Sequence, residues 1–292
     1  MNLQLAAHPP FSLAAAVRSH GWAQLGPFDW DADAGALTRV ERLGTGRVVE
    51  IAIRESGDGV RVEGVGGLTD AERQEVHEKV AWMLDLDLDL DPFYALARDE
   101  PRLAHAQEAR RGRILRCPTL FEDVVKTILT TNVQWSGTIR MVERLVSGFG
   151  DPLPADSARH AFPTPERLAA ADEEGLRSAG LGYRAPYVLE LARSVVSAER
   201  DLEALKSAEL PTAELRKRLL AIKGVGDYAA ANLLILLGHY DFLPVDSWAM
   251  TMVSREWYQG EPVGRAEVEA AFERWGQWKG LAYWFWDWTG GE

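Results

Sequence analysis

"LLAIKGVGDYAAANLLILLGHYDFLPVDSW" (Leu219–Trp248) decides how this chain is read. Gly224 and Gly226 stand between one helical pattern, "AELRKRLLAI", and a second, "YAAANLLILLG". The sense is helix, tight turn, helix. Glycine permits left-handed backbone and lets another backbone come close. The second helix is expected to begin near Asp227, with the free N–H groups of its first turn facing outward. The turn Lys223, Gly224, Val225, Gly226 can then hold a phosphate oxygen without a basic side chain. By itself, the pattern fits a plain αα-hairpin punctuated by glycine equally well. Asp246 precedes a further helical pattern, "SWAMTMV". An aspartate there caps the helix, and the helix dipole also keeps its carboxylate ionised. A fixed anion in that position can stabilise positive charge in a ligand.

The 292 residues, 47% of them hydrophobic, suffice for one large or two medium domains. A net charge of −12 argues against a general nucleic-acid binder, but binding needs only a local positive face. Residues 101–150 carry eight Lys/Arg against four Asp/Glu, a local excess of positive charge. The acid is concentrated elsewhere, notably in "LDLDLDLD" (Leu84–Asp91). Cys117 is the only cysteine. That excludes a disulfide framework, a four-cysteine iron–sulfur cluster and a zinc ribbon, and it fits a reducing compartment. "MNLQLAAHPPFSLAAAVRSH" lacks a basic n-region and contains a proline pair, so it makes a poor signal peptide. No apolar run reaches the ~18 residues of a membrane span.

The first part of the chain reads as mostly β. "RVVEIAI" (Arg47–Ile53) and "GVRVEGV" (Gly59–Val65) are β-branched segments joined by the turn residues "ESGDG". "LTDAERQEVHEKVAWML" reads as a helix capped by Thr69, with Val76, Val80 and Met83 on one stripe. The period-two "DLDLDLDP" is soon interrupted by Pro92 and reads as a helix end and connector. From Asp99 the texture is helix after helix. "TLFEDVVKTILTTN" has Phe121, Val124, Val125, Ile128 and Leu129 at helical spacing. "SGTIRMVERLVSGFG" is expected to stop at Gly148 and Gly150. "TPERLAAADEEGLRSAG" has a threonine cap and Pro165 in its first turn. The expected fold class is mixed, with a small antiparallel α+β domain over 1–98 and an all-α domain over 99–292.

A "GVG" turn followed about twenty residues later by "LPVDSW" resembles the helix–hairpin–helix DNA glycosylase superfamily. "FEDVVKTILTTNVQWSGTIRMVERLVSGFG" and "LRSAGLGYRAPYVLELARSVV" are similar to segments of eukaryotic-type 8-oxoguanine DNA glycosylases. The first ~90 residues and "RWGQWKGLAYWFWDW" look like bacterial 3-methyladenine glycosylase II. The resemblance implies a TATA-binding-protein-like N-terminal domain, a hairpin that binds DNA backbone, and Asp246 as the catalytic carboxylate. It also implies that Asn132 fills the hole left by a flipped base and that Tyr183 wedges the opposite strand. Members that cut the strand carry a lysine just inside the second hairpin helix. Here that position is Tyr228, and Lys223 lies before the first glycine. A tyrosine cannot form an imine, so a monofunctional enzyme with water as nucleophile is expected.

The chain also departs from the 8-oxoguanine pattern. The arginine that reads the opposite base matches Gly137, and the glutamine and phenylalanine that hold the lesion match Tyr283 and Asp287. No counterpart of that family's N-terminal pocket segment is evident around "HGWAQLGPFDW". The lesion-pocket candidates are Tyr228, Asn232, Tyr283, Trp284 and Asp287. An aromatic pocket suits electron-poor, alkylated bases through stacking and cation–π attraction, although core packing explains any single tryptophan as well. Tyr228 is read as hairpin packing or as pocket wall, and Asp287 as a base contact, an ion-pair partner of Arg184, or a water-facing side chain. The expectation is excision of alkylated purines of the 3-methyladenine type. The alternatives are an 8-oxoguanine-type enzyme and a catalytically silent helix–hairpin–helix DNA binder. No cofactor and no catalytic metal are expected, with room for an alkali ion at the hairpin carbonyls. The expected partner is duplex DNA bearing a damaged base, with no membrane. A bacterial cytoplasmic monomer, nucleoid-associated when bound, completes the reading.

Overall fold

The computed structural model describes residues 2–245 and 247–286. By packing, the chain forms two units. The first holds residues 2–89 and Arg113–Ser207, and the second holds Leu90–Gly112 and 208–286. A cut at 98/99 follows the change in sequence texture; the packing division instead groups the helices up to Ser207 with the sheet.

The first unit is built on a five-stranded antiparallel sheet. Its strands are β1 (Leu3–Ala6), β2 (Phe28–Asp31), β3 (Ala36–Arg42), β4 (Val48–Ser56) and β5 (Gly59–Glu63), in the order β1-β5-β4-β3-β2. The "ESGDG" segment closes the β4–β5 hairpin, with Ser56 paired to Gly59 and Gly57 at φ +60°. Val49, Ile51 and Ile53 alternate along β4 and are buried, each contributing roughly 1.5–3 kcal/mol of apolar transfer. Helix α1 (Asp70–Leu84) lies against β1. Thr69 accepts from the Glu72 backbone while the Glu72 side chain reaches back to Thr69, a reciprocal cap that fixes where the helix starts. The acidic segment ends α1, as expected, with Asp85 in the left-handed region.

Helices α2 (Leu120–Thr130), α3 (Trp135–Phe149) and α4 (Ala185–Val196), several shorter helices and a two-stranded antiparallel sheet of Pro152–Leu153 with Asp156–His160 also belong to this unit, so the stretch from residue 99 is not purely helical as expected. Helix α2 is not the amphipathic helix of the sequence pattern. Leu120 through Leu129 are all buried, including Glu122, Asp123 and Lys126. β3 supplies a partner for Glu122. Leu37, Arg39 and Glu41 face the same side as Ile53, Ile51 and Val49 opposite them, so two charges sit on the core face of the sheet. Arg39 pairs with Glu122 at 3.0 Å and with Glu41 at 2.8 Å. Lys126 pairs with Glu122 at 2.7 Å, and Lys79 with Glu41 at 2.7 Å. Burial alone would raise the Glu122 carboxyl, but the charges of Arg39 and Lys126 outweigh it and hold it at about 2. Asp123 accepts from Trp22 Nε1 at 2.7 Å and from the Cys117 backbone at 3.1 Å. Helix α3 runs through Gly148 to Phe149, so Gly148 is not a stop. Gly150 alone follows the helix, where a side chain would strike the Ala161 carbonyl.

The second unit contains α5 (Thr212–Leu220), α6 (Asp227–Leu236), α7 (Ser247–Trp257), α8 (Arg265–Phe272) and α9 (Lys279–Phe285). Its core is aromatic. Trp257, Phe272, Trp275 and Trp286 meet edge-on or tilted, and Trp278 stacks on Tyr240 and touches Phe93. Most of the tryptophans near the 280s are therefore core. Phe93 and the Arg102–Glu256 pair at 2.8 Å tie Leu90–Gly112 to this unit.

Burial pushes the Asp123 carboxyl up to about 6, against the pull of the Trp22 and Cys117 hydrogen bonds. An unfolded aspartate titrates near about 3.9. The folded state thus keeps its proton where the unfolded state has lost it, and stability falls as pH rises from about 4 to 6. Asp123→Asn should abolish this fall. In urea unfolding at pH 4 and pH 7, the variant should gain about 2 kcal/mol relative to wild type between the two. Other titrating groups, such as His20, held down at about 4 by burial, are common to both proteins and cancel. An unchanged difference between variant and wild type would contradict the assignment.

Candidate functional site

The first group of candidates lies in the first unit. Helix α2 ends at Thr130, and Asn132 two residues on adopts left-handed backbone at φ +48°. Asparagine tolerates that conformation better than most residues. The structure brings Asn132 and Tyr183 together. The Tyr183 hydroxyl lies 3.4 Å from the Thr131 carbonyl, and the Asn132 side chain hydrogen-bonds the phenol. Desolvation, the largest single influence, raises the Tyr183 phenol, but hydrogen bonds from Asn132 and Thr131 and the Arg184 charge together outweigh it, so its pKa lies below the ordinary tyrosine value. The Arg184 guanidinium stacks 4.4 Å over the Tyr183 ring and donates to the Thr131 carbonyl. Tyr183 is nonetheless 48% exposed. A large ring is thus held from one side and presented to solvent on the other. The "HGWAQLGPFDW" segment packs against the start of α3: Trp135 donates to Gln24 at 2.7 Å, and its ring fills the space a side chain at Gly21 would need.

The second group lies in the second unit. Helices α5 and α6 pack as the expected hairpin, with Val225 buried between them. The two glycines play different parts. Gly224 is at φ +88°, where L side chains are strained. Gly226 is at φ −94° and is the N-cap of α6, so of the two only Gly224 uses the left-handed backbone that glycine permits. A Cβ on Gly226 would meet nothing within 4 Å. Its smallness serves no contact within the protein, which leaves the approach of something from outside. No side chain caps α6, and the first turn keeps its orphan donors. Asp227 is turned to a salt bridge with Arg216.

Tyr228, the second residue of α6, is 53% exposed. Asn232 lies one turn on and donates to the Tyr228 carbonyl at 2.9 Å. Tyr283 is buried, edge-on to Trp248 at 5.3 Å and to Phe272 at 5.9 Å. Trp284, its neighbour on α9, is half-buried. The most exposed aromatics described in this unit are therefore Tyr228 and Trp248, which is 52% exposed, followed by Tyr258. Trp248 was not among the sequence candidates. Its signal was an indole in the first turn of a helix directly after Asp246, a place usually given to small or acidic residues. Asp246 and Asp287 lie outside the described residues; Asp246 is followed at once by α7, which begins at Ser247. Among the described residues, no group of three or more His, Cys, Asp or Glu side chains is placed to hold a metal ion. No helix among them is long and apolar enough to cross a membrane.

A family model described as "HhH-GPD superfamily base excision DNA repair protein" matches residues 125–277, just over half of the chain. Among curated proteins, the chain is 28% identical over 204 residues to "Probable N-glycosylase/DNA lyase" of Methanothermobacter thermautotrophicus, covering 61% of this chain and 63% of that protein. It is also 28% identical over 166 residues to "DNA-3-methyladenine glycosylase" of Bacillus subtilis, covering 56% and 54%. The chain thus spans less than two thirds of the length of these relatives. Among solved structures, "3-methyladenine dna-glycosylase from Archaeoglobus fulgidus" superposes with a TM-score of 0.78 at 24% identity, covering 98% of this chain and 97% of that one. At that identity the likeness speaks for the fold.

A phosphate-holding role for the turn predicts the behaviour of Gly226→Ala. The backbone there suits any residue and the space is open, so folding should cost no more than about 1 kcal/mol for the poorer cap. Affinity for duplex DNA should fall about tenfold or more, equally for damaged and undamaged duplexes, because a backbone contact carries no sequence information. Fluorescence anisotropy on both duplexes checks this, and unchanged affinity would remove the role.

Proposed function

The chain belongs to the HhH-GPD superfamily of base excision DNA repair proteins, and from this we propose that it is a monofunctional DNA glycosylase acting on alkylated purines. One observation carries the monofunctional reading. The second residue of the hairpin helix, where strand-cutting members carry their lysine, is the exposed Tyr228. A phenol cannot form the Schiff base, so water takes the place of the amine.

The target base leaves the stack at a cost of roughly a few kcal/mol. Asn132 and Tyr183 fill and hold the opening. As the C1′–N bond breaks, positive charge builds on the sugar. In this proposal the carboxylate of Asp246, the residue preceding α7 in the sequence, stabilises that charge, and preorganised electrostatic contacts of this kind lower the barrier more than any other effect in many active sites. Water adds at C1′, and its proton passes to the carboxylate or to solvent. An N-alkylated purine already carries positive charge and departs as a neutral base, so it needs no strong general acid. The accessible faces of Tyr228 and Trp248 suit such a cation, and the Bacillus relative is named for a 3-methylated purine.

The second reading is an enzyme for oxidised guanine. The hydrogen-bonded Asn132–Tyr183 pair favours it, because the resemblance draws that pair from the 8-oxoguanine branch. A panel of duplexes carrying alkylated or oxidised bases, cleaved with alkali after incubation, separates the two.

Asp246→Asn should leave duplex affinity within about threefold of wild type and lower single-turnover excision about 10²–10³-fold. A near wild-type rate would leave Asp246 as a helix cap and remove the mechanism.

A further inference from the structure

Arg140 and Arg144 stand out against the rest of the first unit. They lie four residues apart on α3, both exposed. Among the described residues neither guanidinium has a carboxylate, carbonyl or other polar partner, although Glu143 lies between them. Like charges at this spacing repel by a few tenths of a kcal/mol on an isolated helix. Elsewhere in this acidic chain arginines are commonly matched, as Arg177 is by Glu173 and Arg159 by Glu50.

Their placement gives the pair a meaning. The Arg140 guanidinium reaches over Gly137, 4.0 Å from where its Cβ would be, and the other neighbour of that point is Val133, the residue after Asn132. The Arg144 guanidinium lies against Gly180, 3.0 Å from where its Cβ would be, in the loop that carries Tyr183. One arginine thus lies on the Asn132 side and the other on the Tyr183 side of the presented ring. Gly180 leaves the room the Arg144 guanidinium occupies, whereas the tight neighbour of Gly137 is the Val133 side chain.

We propose that Arg140 and Arg144 form a second backbone clamp, separate from the glycine turn, that holds phosphates of the strand opposite the lesion on either side of the Tyr183 wedge. This rests on the DNA-processing reading above, and it extends that reading to a contact made by side-chain charge. The occupant is a phosphodiester rather than a base edge. Each guanidinium sits on bare backbone at the rim of the Asn132–Tyr183 group, and each offers a fork of donors to an anion. An unpaired cation next to the segments that carry Asn132 and Tyr183 is placed to neutralise the phosphates flanking a pushed-out nucleotide.

The test uses the full chain with Arg140→Gln, Arg144→Gln and the double substitution, which retain a long polar side chain and alter no internal pair. Duplex affinity is measured from 50 to 300 mM KCl on damaged and undamaged duplexes. Each phosphate no longer neutralised should flatten the log–log salt dependence by about 0.9. The double variant should therefore show a slope shallower by about 2 and an affinity about tenfold or more lower at the lowest salt, with excision from single strands unchanged. A neutral methylphosphonate walked along the opposite strand should weaken wild type at one or two positions and leave the double variant unaffected there.

An unchanged slope overturns the clamp. So does a loss that depends on the identity of the opposite base at constant slope, which would make the arginines base readers. A methylphosphonate effect confined to the lesion strand also overturns it. Binding and excision are read separately. A changed slope in a protein that excises nothing keeps the clamp and removes the glycosylase reading, and excision with an unchanged slope does the reverse. A protein that binds no duplex removes both.

Discussion

Glu122 sits between Arg39 of the sheet and Lys126 of its own helix, with all three side chains essentially out of water. Much of the first unit depends on that arrangement. Replacing a buried ion pair by apolar residues of equal volume is often neutral or stabilising, whereas removing one partner costs about 3–5 kcal/mol. Such a network is therefore a poor source of stability and a strong source of register. If α2 moved one turn along the sheet, the Arg39–Glu122 pair between strand and helix would be broken, while Lys126–Glu122 within the helix and Arg39–Glu41 within the strand would each be left buried without the charge that balances it across the interface. Asp123, held by Trp22 and the Cys117 backbone, adds a second anchor on the same turn.

Register in α2 sets the position of the Asn132–Tyr183 group. Thr131 and Asn132 come directly after the last turn of the helix, and the Thr131 carbonyl receives both Arg184 and the Tyr183 hydroxyl. A group proposed to enter a DNA stack has to be positioned to a fraction of an ångström, and here the positioning is done by charges buried beneath it. The second unit uses backbone for its proposed anion contact: an uncapped helix start and a glycine with open space in front of it. A chain with net charge −12 can hold a polyanion in these two ways, because orphan amides and a few unpaired arginines act locally while the net charge acts at a distance beyond the Debye length.

The hairpin, the Thr69 cap, the β4–β5 turn and the helices from α2 onward were legible because each is set by residues within a few positions of one another. The buried charge network was not. "ALTRVER" alternates, but Arg39 and Glu41 read as a solvent face until Glu122, Lys126 and Lys79 arrive from distant parts of the chain. The packing units were hidden for a similar reason: α2, α3 and α4 share texture with the later helices but share their contacts with the sheet. Composition suggested an aromatic lesion pocket, and the structure assigns Trp275, Trp278 and Trp286 to the core. The most exposed aromatics of the second unit are Tyr228, which the motif comparison singled out, and Trp248, which it did not. The difference between Gly224 and Gly226 likewise needed the backbone angles, since the letters are the same.

The central claim is that a chain with Tyr228 at the lysine position releases a base with water and without a covalent link to DNA. The direct measurement incubates the protein with a labelled duplex carrying the best-excised base, in the presence of borohydride, and compares it with a sample treated with alkali. The account predicts alkali-labile abasic sites in proportion to time and no protein–DNA adduct. An adduct trapped as efficiently as abasic sites form, and lost on changing Lys223, would contradict it.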